Sequence, residues 1–282
     1  MTDARRQERL KHLLAANGVL WAEGTDEADV VRTFQDAAGL VTDGVLGPLT
    51  AWELQKVLLR VPIPLTTVPV NPPNDRISET RVTLRDDVAW AYQNLAAEVR
   101  AAGGHMTSAG GLRRLTSGAN STRSALSHHY WAGAFDLGLP SGFFDPDRDP
   151  FVIERTGPRT WQVWARAKDA PERTVTATYW KSMRSGIDLT KEVTAPLLDF
   201  TALARKHGFQ PIGPRTPFTR SSNRLYGGAE WWHFQYEAAL WPGISQIGIE
   251  ILRMAGVSEE SFRKQNPGLW ARSRSVFKED WF

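Results

Sequence analysis

The chain has 282 residues, of which 41% are hydrophobic and 23% are charged, and its 34 basic and 31 acidic side chains give a net charge of +3. This balance is ordinary for a globular protein and falls short of the basic surface that nucleic-acid binding needs. The sequence contains no cysteine. Disulfides, cysteine nucleophiles and thiolate metal sites are therefore excluded, and any metal must be held by histidine and carboxylate.

The N-terminal sequence lacks the features of a secretory signal. "MTDARRQERLKHLLAANGVLW" has basic residues but no apolar segment of sufficient length. No run of about 18 apolar residues occurs in the chain, so we expect no membrane-spanning helix.

Residues 1–60 are predicted to form a small domain of three helices. Apolar residues recur at helical spacing in "RQERLKHLLAANG", "DEADVVRTFQDAAGL" and "GPLTAWELQKVL". Glycine ends the first two segments, and Gly47 and Pro48 mark the start of the third. The side chains expected to face inward are Leu10, Leu13, Leu14, Val30, Val31, Phe34, Leu49, Trp52 and Leu54.

The segment "FQDAAGLVTDGVLGPLTAWEL" resembles the peptidoglycan-binding domain found at the ends of many cell-wall hydrolases. The matching features are the FQ pair, the GL pair and the pattern D-G-x-x-G-P-x-T from Asp43 to Thr50. The resemblance covers roughly residues 5–60 and implies that this module binds bacterial peptidoglycan. The alternative is any other three-helix module.

Residues 61–80 are predicted to be a proline-rich linker between two domains. The stretch "VPIPLTTVPVNPPND" holds five prolines. Such a stretch cannot continue a helix and favours an extended, semi-rigid chain.

Residues 81–282 are predicted to form a domain of the α+β class, with a mostly antiparallel sheet and flanking helices. Helices are expected in "LRDDVAWAYQNLAAEVRAAGG" and "APLLDFTALARKHG". Threonine, valine and aromatic residues favour strands in "HMTSA", "GAFDLGL", "WQVWARA", "TVTATYW" and "WWHFQY". The third and fourth strands are interpreted as an inserted hairpin whose tryptophans serve packing rather than sugar stacking, and the chain ends in a C-terminal extension.

Two polar motifs stand out in this second domain. Ser127, His129 and Asp136 form the pattern S-x-H-x6-D, and "GAEWWHFQY" places Glu230 three residues before His233. Two histidines and one carboxylate supply the three protein ligands of a catalytic zinc, which keeps a fourth position for a water whose pKa falls to about 7. Glu230 is placed to act as a general base. The alternative for His233 is a hydrogen-bonded core residue in a half-buried strand.

The two motifs resemble the zinc D-Ala-D-Ala carboxypeptidase family, which includes the vancomycin-resistance D,D-peptidases and phage L-alanyl-D-glutamate endopeptidases. Its signatures are S-x-H-x-x-G-x-A-x-D and E-x-W-H, and the resemblance spans roughly residues 85–240. It departs from the family at Ala132, which replaces the glycine, and in the long gap between the motifs. The matching residues are Ser127, His129, Ala134 and Asp136 in the first signature and Glu230, Trp232 and His233 in the second.

The resemblance implies a role for each matching side chain. The implied roles are zinc ligand for His129, Asp136 and His233, catalytic base for Glu230, and substrate contact for Arg113 and Ser127. Arg113 in "TSAGGLRRL" is the best match to an arginine with which the family holds substrate, and Arg114 is the alternative. The adjacent His128 is expected to face solvent or to lie behind the ligands.

Together the motifs predict a zinc metallopeptidase that cleaves peptidoglycan stem peptides and is tethered to the wall by residues 1–60. The bond remains open among D,D-carboxypeptidase, D,D-endopeptidase and L-alanyl-D-glutamate endopeptidase activities. We expect a monomer whose partner is bacterial peptidoglycan, with neither nucleic acid nor membrane as a partner.

The missing signal peptide favours a protein that is made in the cytoplasm and acts on the cell wall after release or delivery. We therefore expect a phage-type endolysin or a delivered lytic effector, with a secreted enzyme lacking its leader as the alternative. The competing hypothesis is a non-catalytic cell-wall-binding protein with a structural zinc site. Glu230 argues against it, because a structural site needs no base.

Overall fold

The computed structural model describes residues 3–71, 78–114, 127–139, 144–181, 188–215, 218, 226–240 and 247–265. Helices and antiparallel sheets give an α+β fold, which confirms the predicted class. The chain divides into two compact units, one formed by Met1–Ile63, Arg114–Trp131 and Ala238–Phe282, the other by Pro64–Arg113 and Ala132–Glu237. Among the described helices, none combines the length and the apolar character that crossing a membrane requires.

The element bounds are as follows. The helices are α1 (Asp3–Ala16), α2 (Glu27–Ala37), α3 (Pro48–Gln55), α4 (Asp86–Ala101), α5 (Phe200–Lys206), α6 (Ile247–Ala255) and α7 (Glu259–Gln265). The strands are β1 (Leu65–Pro69), β2 (Arg81–Arg85), β3 (Ala134–Asp136), β4 (Phe151–Gly157), β5 (Thr160–Arg166), β6 (Glu172–Trp180), β7 (Asp188–Asp199), β8 (Phe209–Pro211) and β9 (His233–Tyr236). Short 3₁₀ turns occur at Lys56–Arg60, His128–Trp131, Tyr226–Gly228 and Glu237–Ala239.

The three predicted N-terminal helices are present as α1, α2 and α3. Asp26 caps α2 by accepting a hydrogen bond from the Ala28 backbone N–H at 2.7 Å, and Pro48 is the first residue of α3. Aspartate is a favoured N-cap residue, and proline is favoured in the first turn of a helix. Leu49 was expected to face inward but is 61% exposed, because it lies in the first turn of α3 outside the shared core. That core consists of Leu10, Leu13, Leu14, Val19, Val30, Phe34 and Leu54.

Part of the predicted linker, residues 61–80, is a strand. β1 pairs antiparallel with β2 over its five residues, with Thr67 opposite Thr83. The described prolines, Pro62, Pro64 and Pro69, lie before β1 or at its last residue. Thr66, Thr67 and Val68 are β-branched and favour a strand, so the extended segment can pair with β2. Residues 72–77, the rest of the proline run, lie outside the described residues.

The sheet that carries the candidate site has three antiparallel strands in the order β3-β9-β8. In its register Asp136 lies directly opposite His233, and Phe135 lies opposite Phe234. The two phenylalanine rings stack with centroids 5.5 Å apart, and Tyr92 of α4 meets Phe135 edge-on at 4.9 Å. Because successive side chains alternate between the faces of a strand, the aromatic core lies on one face and Asp136 and His233 lie on the other.

The insertion between the two motifs is a closed four-stranded barrel in the order β4-β5-β7-β6. The predicted hairpin between the strands now labelled β5 and β6 is therefore wrong, since these strands are not neighbours in the barrel. β7, twelve residues long, pairs with both of them. The barrel interior is filled by Val152, Val175, Ala177, Val193, Ala195 and Leu197.

The helix predicted over "APLLDFTALARKHG" is also shorter than expected. β7 runs through the first five of these residues, and α5 begins only at Phe200. Val193, Ala195 and Leu197 alternate with exposed residues, which is the period of a strand. Asp199 ends the strand and caps α5 by accepting from the Ala202 backbone N–H at 2.7 Å.

Candidate metal centre

The structure brings together the three residues that the sequence predicts as metal ligands. One donor atom each from His129, Asp136 and His233 lies within 4.8 Å of the other two, so this group could hold a metal ion. Both histidines are buried. His233 Nδ1 lies 2.9 Å from Asp136 Oδ1, at hydrogen-bond distance.

His129 is positioned by a tight change of chain direction. It lies in the 3₁₀ turn His128–Trp131, and the next residue, Ala132, has a φ of 57° before the chain enters β3 and reaches Asp136. Ala132 is fully buried, and its carbonyl accepts from the Arg85 backbone N–H at 3.2 Å. A left-handed residue is most easily glycine. The glycine of the family signature thus falls at the position where this chain adopts a conformation that alanine rarely takes.

The backbone of Asp136 is held by two hydrogen bonds on one edge of β3. Its N–H donates to the Gly110 carbonyl at 3.0 Å, and its carbonyl accepts from the Ala109 N–H at 2.8 Å. The other edge of β3 pairs with β9, which carries His233. The predicted strand "HMTSA", residues 105–109, is not a regular strand; the segment meets β3 through an isolated bridge at Gly110.

Glu230 lies just before β9, outside the strand. Its φ is 57°, and its carbonyl accepts from the His233 N–H at 3.2 Å, which closes a turn. On a regular strand, residues three apart would face opposite sides. The turn removes that obstacle. The Glu230 side chain is almost completely buried and is not part of the ligand group.

The barrel supports this turn through an aromatic cluster. Trp231, the residue after Glu230, meets Trp161 of β5 edge-on at 4.9 Å and Trp180 of β6 at 6.0 Å. Phe218 contacts both barrel tryptophans. Trp161 and Trp180 are buried, so their predicted packing role is confirmed. The insertion therefore fixes the backbone that carries Glu230.

Arg215 is a residue of the site that the sequence analysis missed. Its Nε donates to Glu230 Oε1 at 2.5 Å, and its backbone N–H donates to the Gly228 carbonyl at 2.9 Å. No motif or helical spacing relates Arg215 to Glu230, because the two lie in separate loop segments. The local sequence "GPRTP" gives no signal for this contact.

Arg113, the predicted substrate-holding arginine, follows the segment that meets β3. It lies three residues after Gly110, which forms an isolated bridge with Asp136. Arg113 is half-buried, whereas Arg114 is exposed. The neighbouring Leu112 N–H donates to the Thr83 carbonyl at 2.8 Å. The backbone thus ties Arg113 to the strand that carries a candidate ligand.

Ser127 and His128 lie at the start of the turn that carries His129. Ser127 is half-buried, and its carbonyl accepts from the Tyr130 N–H at 3.1 Å. His128 is buried, with its ring centroid 5.1 Å from that of Trp131. Of the two expectations for His128, exposure to solvent is therefore wrong.

The motif that resembles a peptidoglycan-binding domain forms a hydrogen-bond network. Gln35, 1% exposed, donates to Asp43 Oδ1 at 2.8 Å, to the Val45 carbonyl at 3.1 Å and to Thr50 Oγ1 at 3.1 Å, and it accepts from the Gly44 N–H at 2.8 Å. The Val45 N–H and then Gln35 hold the pKa of Asp43 below its usual value. Gly44 has a φ of 76°, which favours glycine. These residues fix the loop before α3.

Comparison of the chain with protein-family models, curated proteins and solved structures finds no match. A proposal for the function therefore depends on the two motif resemblances and on the geometry of the site.

Proposed function

We propose that the protein is a zinc metallopeptidase that cleaves the stem peptides of peptidoglycan. The observation that carries the proposal is the His129, Asp136 and His233 group, whose donor atoms lie within 4.8 Å of one another, with the buried Glu230 three residues before His233 and outside the group. A structural metal site has no use for such a glutamate, and it is placed where the family's signature has its base.

The donor set fits zinc. Two imidazoles and one carboxylate are typical ligands of a catalytic zinc, and donors about 2.1 Å from a tetrahedral ion lie about 3.4 Å from one another. The candidate group has this composition, and its donor atoms lie within 4.8 Å of one another. Zinc bound there would act as a Lewis acid and would bring the pKa of a water molecule close to 7.

Glu230 would move the proton during hydrolysis. Its Oε1 is engaged by Arg215, so we assign Oε2 as the atom that takes a proton from the attacking water and returns it to the leaving amine. The turn and the aromatic cluster around Trp231 hold this carboxylate in place. Such preorganisation is what a general base requires, because a small displacement weakens proton transfer.

Residues 1–60 would tether the enzyme to its polymeric substrate. The proposal is supported by the three-helix core and by the buried network around Gln35, whose residues belong to the segment that resembles peptidoglycan-binding domains. A tether raises the local concentration of the enzyme at the wall without any new contact at the active site.

Metal analysis tests whether the protein binds zinc, on which the proposal depends. Wild-type protein purified without chelator should carry about one zinc per chain, measured by inductively coupled plasma mass spectrometry. His129→Ala and His233→Ala should lose the metal, whereas His12→Ala, at an exposed position in α1, should retain it. Wild-type protein without zinc after incubation with zinc and desalting would refute the metallopeptidase.

A further inference from the structure

A single arginine lies against the buried carboxylate of Glu230. The side chain of Arg215 is 31% exposed, whereas that of Glu230 is 7% exposed. The Nε of Arg215 therefore contacts a buried carboxylate, while the Arg215 side chain as a whole stays partly exposed. Its backbone is held by the hydrogen bond to the Gly228 carbonyl, so the side chain starts from a fixed point.

Among the described residues, only one N–H group of the Arg215 guanidinium has a side-chain acceptor. A guanidinium carries five N–H donors, of which the Nη groups form the outer pair. Within the described part of the chain, Glu230 is the acceptor for Nε and the Nη groups have no acceptor. A partly buried arginine with one edge engaged and the other open is suited to a planar, charged acceptor, and a carboxylate fits it best.

The contact between Arg215 and Glu230 indicates which part of the substrate would carry the carboxylate bound by Arg215. The proposed function has Glu230 return a proton to the leaving amine, so the residue that carries this amine must lie beside Glu230. Arg215 contacts Glu230 directly, and it therefore lies on the leaving-amine side of the scissile bond.

We propose that Arg215 is a substrate-binding residue that recognises an α-carboxylate on the residue supplying the leaving amine; this rests on the proposed function. Two kinds of stem-peptide bond share that chemistry. The terminal D-alanine of a D-Ala-D-Ala peptide has its carboxylate on the carbon that bears the leaving nitrogen. The D-glutamate of an L-Ala-D-Glu bond has its α-carboxylate at the same place, because its peptide chain continues through the γ-carboxyl.

The test compares each of two synthetic stem peptides with its amide. One peptide ends in D-Ala-D-Ala and the other contains L-Ala-D-Glu, and in each amide only the α-carboxylate in question is converted. Zinc-loaded wild type should cleave the acid of one pair about 10- to 100-fold better than its amide in kcat/KM, the size expected for a charge-assisted contact. The pair that is cleaved identifies the source of the carboxylate.

The variants are Arg215→Gln and Arg215→Lys, with Arg205→Gln at an exposed position of α5 as the control. Arg215→Gln should lose the preference for the acid, mainly through KM, so that its kcat/KM becomes nearly equal on acid and amide. Arg215→Lys should keep part of the preference, because it retains the charge but not the planar pair of donors. Equal losses on acid and amide would assign Arg215 a purely structural role and would overturn the inference.

A binding measurement separates this inference from the proposed function. Metal-free protein is titrated with each acid and amide, and tryptophan fluorescence is followed. Tighter binding of an acid by wild type but not by Arg215→Gln supports the inference even if neither peptide is cleaved, in which case only the proposed function fails. Equal binding of acid and amide by wild type would overturn the inference even if the enzyme is active.

Discussion

Replacing Glu230 by glutamine should abolish turnover and leave the protein folded and loaded with metal. The substitution keeps the size of the side chain and an oxygen that can accept from Arg215. It removes the group that takes a proton, and general-base contributions are typically about 100- to 10,000-fold. The metal should stay, because Glu230 lies outside the group formed by His129, Asp136 and His233.

The effect on stability should be far too small to explain this loss. The contact between Arg215 and Glu230 changes from a charge-assisted to a neutral hydrogen bond, which costs about 1 kcal/mol. A loss of that size lowers the Tm of a domain of 150–250 residues by about 2–4 °C. Native proteins are stable by about 5–15 kcal/mol, so the variant remains more than about 99% folded at 25 °C.

The assay measures kcat/KM on a soluble stem peptide, zinc content and Tm on the same preparations. Glu237→Gln is the matched control, because Glu237 is exposed and follows β9; it should behave as wild type. Activity of Glu230→Gln within about threefold of wild type at full zinc content would refute the assignment of Glu230 as the base, since even a weak base contributes about 100-fold. Loss of zinc from this variant would instead make Glu230 a ligand.

Three further predictions concern the structure around the site and the N-terminal module. Gln35→Leu should lower the free energy of unfolding by about 1–3 kcal/mol in denaturant titration, because the Gly44 N–H and the Val45 carbonyl lose their buried partner. The control is Gln7→Leu, at an exposed position. A loss for Gln35→Leu no larger than that of the control would contradict the role of the network. Ala132→Gly should change the free energy of unfolding by less than about 1 kcal/mol, because relief of about 1–2 kcal/mol of left-handed strain is offset by the loss of one buried methyl group and by the greater freedom of glycine in the unfolded chain. Ala132→Val should lower the free energy of unfolding by at least about 2 kcal/mol. Equal losses for the two variants would show that the methyl group and not φ governs this position. His128→Phe should retain zinc while His129→Phe loses it, and the reverse result would mean that the signature is aligned one residue out of register.

The ligand group was predictable from the sequence because its residue types and spacing are rare together. Ser127, His129 and Asp136 occur within a short segment, and the paired strands β3 and β9 place Asp136 opposite His233. The position of Glu230 outside β9 agrees with the E-x-W-H spacing, since residues three apart on a regular strand face opposite sides. The residue types and their spacing predicted the candidate ligands, whereas the pairing of β3 with β9 joins segments that are distant along the chain.

The barrel and Arg215 were not predictable in the same way. β7 contains Pro196 and continues directly into α5, and its last five residues, 195–199, are predicted from the sequence to belong to the helix. Strand pairing in the barrel depends on contacts between distant segments, which periodicity within one segment does not specify. Arg215 reaches Glu230 through the conformation of a loop, and neither charge nor spacing encodes that conformation.

The prediction of an unpaired linker failed for a related reason. Proline composition correctly indicated an extended chain at residues 61–71, but it carries no information on whether such a chain finds a partner. β2 supplies one, with Thr67 and Thr83 side chains in contact at 3.0 Å. The division of residues 1–60 and 81–282 into separate functional domains stays a prediction.

Digestion of purified peptidoglycan tests the central claim most directly. The sacculus is incubated with zinc-loaded wild type and with Glu230→Gln, and the released fragments are identified by mass spectrometry after amino termini are labelled. The account predicts cleavage within stem peptides by wild type alone, seen either as free D-alanine or as newly exposed amino termini such as that of D-glutamate. Intact stem peptides after digestion by fully zinc-loaded protein, or release of glycan fragments with unchanged stems, would contradict it.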